Sequence, residues 1–169
     1  MSKAQSKMTF EDFLGYFPVI DLPVTFSEDT LADFSRSNRP FNQEAIYEFL
    51  ARWEQDMDEF TEFIPCVKLP DAENYIGIVY WKGTLLKYDF ILATFERNGI
   101  LIERKAISST LLDTEGVKKS MAHLTEDLII HIIAGAIEGN QTNYQASSSQ
   151  AFSMEILPSG EILFDKGDT

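Results

Sequence analysis

The chain has 169 residues, of which 44% are apolar and 12% aromatic, and its formal net charge is −13 at pH 7. This composition is typical of a globular protein and excludes a disordered one, and the length predicts a single domain over residues 1–169. The excess of acidic residues argues against nucleic acid and anionic membranes as partners, because both are bound through clustered Lys and Arg.

The sequence carries no signal for export or membrane insertion. The first residues are polar and lack the apolar core of about 7–15 residues that a secretory signal contains. The longest apolar stretch, residues 128–137, has about half the length that a membrane-spanning helix requires. The single cysteine, Cys66, excludes an intramolecular disulfide. We therefore expect a soluble, cytoplasmic protein.

Helix signals occupy residues 8–62. Thr9, with Asp12 three residues later, is typical of a capping box and predicts a short helix. A second helix is expected to begin at Thr25 or Ser27. The strongest helix is predicted over residues 43–60, because six apolar side chains recur there on a 3.6-residue period: Ile46, Phe49, Leu50, Trp53, Met57 and Phe60.

From residue 63 to residue 164 the pattern changes to strands. About seven stretches rich in β-branched and aromatic residues are separated by short breaks, and Asn98-Gly99 is typical of a tight hairpin. Sequential strands with short turns pair antiparallel. The sequence therefore predicts an α+β fold in which N-terminal helices pack on an antiparallel meander. The pattern allows this sheet to be strongly curved.

Residues 75–81 and 128–137 are apolar at both alternating sets of positions. Such strands lie where a sheet is covered on both faces. Three arrangements provide the cover: further helix, curling of the sheet on itself, or a second copy of the protein. The sequence leaves all three open, and we expect self-association if the first two do not suffice.

The two histidines, His123 and His131, flank a predicted turn between consecutive strands. A loop of Thr125 and Glu126 alone places them on opposite faces, whereas a loop of residues 125–127 places them on one face, offset by two residues. No spacing typical of a metal site is present. We interpret both histidines as structural and expect neither a metal nor a cofactor.

Two other groups are candidates for binding. The segment 54–62 carries five carboxylates that could form a docking patch for a basic partner: Glu54, Asp56, Asp58, Glu59 and Glu62. Three aromatic residues around residues 81–88 could line a ligand pocket: Tyr80, Trp81 and Tyr88. Cys66 has no local histidine or cation that would activate a thiol, so we expect it to be buried and unreactive.

The chain contains no nucleophile elbow, no Walker loop and no dinucleotide-binding glycine motif. This favours a non-enzymatic binding or protein-interaction module. One alternative is a small-molecule enzyme or carrier with a pocket between helix and sheet. Another is an acidic inhibitor or immunity-type protein that masks a basic partner.

Overall fold

A computed structural model of the chain describes residues 7–138 and 149–165. Within these ranges there are three helices: α1 (Phe10–Leu14), α2 (Glu28–Ser37) and α3 (Gln43–Glu48), the last followed by a 3-10 turn, Leu50–Arg52. The strands are β1 (Val24–Phe26), β2 (Glu62–Lys68), β3 (Ile76–Gly83), β4 (Lys87–Phe95), β5 (Leu101–Asp113), β6 (Gly116–Leu124), β7 (Ile129–Glu138), β8 (Gln150–Ile156) and β9 (Ile162–Asp165). None of the helices described is long and apolar enough to cross a bilayer.

Strands β2 to β9 form one antiparallel sheet in chain order, which confirms the predicted α+β meander. The sheet curls without closing, so that the turn before β9 reaches the middle strands. There the Thr94 hydroxyl donates to the Gly160 carbonyl at 2.6 Å, and the Ile162 N–H donates to the Glu103 carboxylate at 3.1 Å. The meander holds eight strands where about seven were expected.

Strand β1 was not predicted from the sequence, and it determines where the sheet opens. Its three residues pair with β6, from Val24 opposite Leu124 to Phe26 opposite Ala122. Strand β5 pairs with β6 only over the first four residues of β6, from Asp113 opposite Gly116 to Thr110 opposite Lys119. Beyond Lys119, β5 and β6 diverge and β1 lies beside β6 instead.

The two faces of the sheet carry separate apolar clusters. The inner face, which β1 and α2 cover, contributes Val79, Trp81, Phe90, Leu92, Ile107, Ala122, Leu124, Ile130, Ile132 and Met154 to one cluster. On the outer face, α1 and α3 cover Ile78, Tyr80, Ile91, Ala93 and Phe95. Strand β3 is therefore buried on both faces. Helices cover its outer face, and this is one of the three arrangements expected from the sequence.

Strand β7 departs from that expectation. Ile130 and Ile132 are buried on the inner face, but His131 and Ile133 are exposed on the outer face, where Ile133 keeps 50% of its accessible surface. The reason is length: α1 and α3 have five and six residues, too few to extend from β3 and β4 to β7. Among the described elements, none covers the outer face of β6–β9.

The helix predicted over residues 43–60 is wrong beyond Glu48. The backbone leaves the helical path at Phe49 (φ −121°, ψ −68°), and Phe60 is 56% exposed. A six-residue helix is not stable on propensity alone. The conformation of residues 49–54 follows instead from their tertiary contacts, as Phe49 and Leu50 pack on the outer face and Glu54 reaches two basic residues of the sheet.

The hairpin at Asn98-Gly99 is confirmed between β4 and β5. The Gly99 N–H donates to the Glu96 carbonyl at 2.8 Å, and Gly99 has φ +98°. A Cβ at Gly99 would also lie 3.0 Å from Cγ of Phe10. We expect Gly99→Val to destabilise the protein by about 1 kcal/mol or more, because a β-branched residue resists positive φ. Urea unfolding measures it, and an unchanged midpoint and slope would contradict the turn assignment.

Self-association through the outer face of β6–β9 stays a prediction. Met121, Ile133 and Leu163 are exposed there, and the Lys119–Glu28 ion pair lies beside the first two at the edge of the face. A second copy packing on this face would bury the three apolar side chains.

Sedimentation equilibrium at micromolar concentration is expected to give a concentration-dependent mass above 19.2 kDa. Ile133→Lys should return the mass to that of one chain, whereas the same change at Leu85, an exposed residue of the β3–β4 turn, should leave association intact. A constant mass of one chain at all concentrations would exclude this interface.

Candidate functional site

A cleft of about 340 Å³ opens on the inner face where β5 and β6 diverge beneath the start of α2. Helix α2 begins at Glu28, after Ser27, whose backbone N–H donates to the Thr30 hydroxyl at 2.8 Å. The cleft is lined by residues of this helix and of strands β2–β6. They are Glu28, Leu31, Glu62, Trp81, Tyr88, Phe90, Ser108, Ser109, Thr110 and Ser120.

Two stacked aromatic rings form the floor of this cleft. The rings of Trp81 and Tyr88 lie 5.6 Å apart with an interplanar angle of 24°. The indole lies across Gly83, where an added Cβ would come within 2.2 Å of Cη2 of Trp81, so the strand needs glycine at this position. Of the three aromatic residues proposed for a pocket, Trp81 and Tyr88 meet in the cleft, whereas Tyr80 lies on the outer face of the sheet.

Serine side chains replace the missing backbone ladder between β5 and β6. The Ser108 hydroxyl donates to the Ser120 carbonyl at 2.8 Å, and the Ser109 N–H donates to the Ser120 hydroxyl at 2.7 Å. Bonds made through side chains hold the two strands further apart than direct ladder bonds would. The wall of the cleft is therefore open and lined with hydroxyl groups.

Two polar groups in the cleft have no hydrogen-bond partner among the described residues. They are the Trp81 indole N–H and the Thr110 hydroxyl, on residues with only 9% and 8% exposure. Every fully inaccessible side-chain nitrogen or oxygen in the described chain is hydrogen-bonded. Solvent therefore reaches these two groups, and the cleft is the space that both residues line.

Carboxylates flank the mouth of the cleft. Glu28 of α2 is paired with Lys119 of β6 at 2.9 Å, and this ion pair joins the helix to the sheet. Glu62 lines the cleft at the start of β2 and makes no ion pair with any residue that the structure describes. The mouth thus carries two carboxylates against one ammonium group, which disfavours anionic ligands.

The five carboxylates proposed as a docking patch are separated. Glu62 lies at the cleft and Glu54 is buried against the sheet, while Asp56, Asp58 and Glu59 are exposed on the loop between them. Asp58 also orders this loop, since its carboxylate accepts from the Phe60 N–H at 2.8 Å. Docking of a basic partner on the three exposed carboxylates stays a prediction.

Glu54 is the centre of a buried polar network on the outer face. Its Oε2 accepts from Arg104 Nη2 at 2.9 Å and from Lys82 Nζ at 2.8 Å, and its Oε1 accepts from Arg104 Nε and from the Tyr80 hydroxyl. The Trp53 indole N–H donates to that hydroxyl at 2.9 Å. Both carboxylate oxygens are saturated, so the network holds residues 53–54 on the sheet and offers no group to a ligand.

The pKa directions agree with this structural role. Burial raises the pKa of Glu54, but hydrogen bonds from Arg104, Lys82 and Tyr80 outweigh it and hold that pKa below its usual range. Burial, with the neighbouring Glu54 charge, raises the pKa of Tyr80 well above its usual value. The phenol therefore remains protonated and the carboxylate ionised at neutral pH.

Both registers expected for the histidine turn are wrong. Leu124 pairs with Ile130, which places His123 directly opposite His131 on the outer face. His123 Nδ1 is hydrogen-bonded to the Thr25 hydroxyl at 2.9 Å, a contact that depends on the unexpected strand β1. Among the described residues, no group of three or more His, Cys, Asp and Glu could hold a metal ion.

Cys66 lies in β2 and is fully buried. Burial raises the pKa of its thiol, because a thiolate would lose its hydration there. The thiol therefore stays protonated and is a poor nucleophile at neutral pH.

The residues of the cleft wall were not found from the sequence. The signal that could have indicated them is the run 108–110, in which three hydroxyl residues interrupt a strand that otherwise holds apolar and charged residues. Thr110 in particular is buried where an apolar residue is usual. A hydroxyl that solvent reaches and that has no partner among the described residues is available to a ligand.

No protein-family model, curated protein or solved structure matches this chain. Its function therefore has to be argued from the geometry and chemistry of the cleft.

Proposed function

We propose that the protein is a non-enzymatic module that binds a small molecule in the cleft between α2 and strands β3–β6. The observation that carries this proposal is a pair of polar groups with no hydrogen-bond partner among the described residues, the Trp81 indole N–H and the Thr110 hydroxyl, on cleft residues that are more than nine-tenths buried. Solvent reaches both groups in the free protein, so a ligand that displaces this water keeps its affinity only if it hydrogen-bonds to both groups in turn. The cleft volume is within the range of small-molecule pockets.

The chemistry of the lining supports binding more than catalysis. The Ser108 hydroxyl is engaged with a backbone carbonyl, and the Ser109 hydroxyl donates to Asp89 at 2.6 Å. Neither His123 nor His131 lines the cleft, so no imidazole lies beside these hydroxyls to act as a general base. The side chains of the cleft are suited to holding a ligand in one orientation.

The two tryptophans of the chain provide an internal control for testing this proposal. Trp81 lines the cleft, whereas Trp53 lies on the other side of the sheet with its indole N–H bonded to Tyr80. In a ¹H–¹⁵N spectrum of the protein screened with a library of small neutral, cationic and anionic molecules, ligands are expected to shift the indole resonance of Trp81 and leave that of Trp53 in place.

The matched variants are Thr110→Met, which fills the cleft, and Thr114→Met, the same change on the exposed turn between β5 and β6. We expect the first to abolish the Trp81 shift and the second to preserve it. A library that leaves the Trp81 resonance unmoved, or equal shifts in both variants, would overturn the proposed function.

A further inference from the structure

We infer that the ligand is a small, uncharged, polyhydroxylated molecule of about the size of one monosaccharide. This inference rests on the proposed function and adds the chemical class of the ligand. It follows from three independent properties of the cleft: the hydrogen-bonding type of its unpaired groups, the charge at its mouth, and the shape of its floor.

The unpaired groups require both donors and acceptors from the ligand. The Trp81 indole N–H can only donate and so pairs with an acceptor of the ligand, whereas the carboxylate of Glu62, an exposed residue at the mouth, can only accept and so pairs with a donor. A ligand hydroxyl can both donate and accept, so it can pair with the indole N–H or with the carboxylate. The Thr110 hydroxyl can likewise donate to such a ligand or accept from it. An ammonium ion only donates, so it offers no acceptor to the indole N–H.

The charge at the mouth selects against anions. Among the described residues, Glu62 makes no ion pair, and Lys119, the lysine beside the mouth, is paired with Glu28 at 2.9 Å. A phosphorylated or carboxylated ligand would therefore meet net negative charge without a cation to bind it. The chain as a whole adds repulsion, with a net charge of −13.

The shape of the cleft fits a flat ring with polar edges. Trp81, Tyr88 and Phe90 supply an apolar floor, and the hydroxyls of Ser108, Thr110 and Ser120 lie along the wall. A pyranose or cyclitol ring presents C–H groups on one face and hydroxyls around its rim, which matches this division. A cleft of about 340 Å³ is at the small end of ligand pockets, which suits a ligand of one ring.

The experiment titrates the protein with four neutral polyols, D-glucose, D-galactose, D-mannose and myo-inositol, while the indole resonances are followed. Cyclohexylamine and glucose 6-phosphate serve as cationic and anionic probes of similar size. We expect at least one polyol to shift the Trp81 resonance with a Kd on the order of 1 mM or tighter, and to bind more tightly than either charged probe.

Glu62→Gln should weaken the polyol about threefold to tenfold, because it replaces a charge-assisted hydrogen bond by a neutral one. Glu59→Gln, the same change on the exposed loop, should have no effect. Preferential binding of the amine or the phosphate in the cleft, or polyol binding that persists in Thr110→Met, would overturn the inference on ligand class. Binding of a charged probe that Thr110→Met abolishes would still uphold the proposed function.

Discussion

Glu54→Leu is expected to lower the free energy of unfolding by about 3–5 kcal/mol, as measured by urea unfolding at neutral pH. The change leaves Lys82 and Arg104 without their carboxylate, with side-chain exposures of only 10% and 31%. It also removes the acceptor of the Tyr80 hydroxyl, which is fully buried. The cost therefore arises mainly from the two cations, one buried and one half-buried, and from the buried Tyr80 hydroxyl proton, all of which lose their acceptor.

The matched control is Glu59→Leu, five residues away on the exposed loop. It should change the free energy of unfolding by less than about 0.5 kcal/mol, since surface substitutions away from special features have small effects. A loss below about 1 kcal/mol in Glu54→Leu would mean that water solvates Lys82 and Arg104 in the folded protein, and that the network contributes little to stability.

The same network should make stability depend on pH. Because the pKa of Glu54 is lower in the folded state, its contribution is complete above the usual glutamate pKa of about 4.3, and it is lost as the pH falls through the folded-state value. The difference in unfolding free energy between wild type and Glu54→Gln should therefore be larger at pH 7 than near pH 3. A difference that stays constant over this range would contradict the lowered pKa.

Local signals predicted the elements that depend on local contacts. Thr9 and Asp12 form the expected capping box, with the Thr9 N–H donating to the Asp12 carboxylate at 2.9 Å. The strand pattern, the antiparallel order and the Asn98-Gly99 turn also follow from residues near one another in the chain. Each of these features is determined within a few residues, which is why periodicity and turn chemistry were sufficient.

The errors concern contacts between distant segments. Glu54 lies four residues after Leu50, so on the predicted helix it would have lain next to the buried apolar side chains. A carboxylate in such a position indicates a cationic partner. That partner, Arg104, is 50 residues away on a strand whose register the sequence does not determine. Likewise β1 has three residues and pairs with β6 across 98 positions, as from Thr25 to His123.

In the candidate site, too, the residues recognisable from local sequence were predicted and those that depend on tertiary contacts were not. Trp81 and Tyr88 could be proposed for a pocket because large aromatic residues are recognisable in a sequence. The serine wall depends on where β5 leaves β6, and that point is determined by the insertion of β1. A hydroxyl in a strand is otherwise interpreted as part of a solvated face, so its role became visible only with the tertiary structure.

Phe13→Ala is expected to destabilise the protein by about 3–5 kcal/mol. Phe13 is fully buried, and its ring lies 4.8 Å from that of Phe49, 5.4 Å from Phe17 and 5.8 Å from Phe41. Helix α1 has five residues and is not stable alone, so this ring is the main attachment of the helix to the outer face. Urea unfolding measures the loss.

Phe60→Ala is the control, because Phe60 is 56% exposed and should contribute less than about 0.5 kcal/mol. The aromatic cluster around Phe13 lies on the opposite face of the sheet from the cleft. Without urea the Phe13→Ala variant is still folded. It should therefore leave the Trp81 resonance and the response of that resonance to ligand unchanged. An altered Trp81 response in the folded variant would show that the outer-face helices, and not only α2 and the divergence of β5 from β6, determine the shape of the cleft.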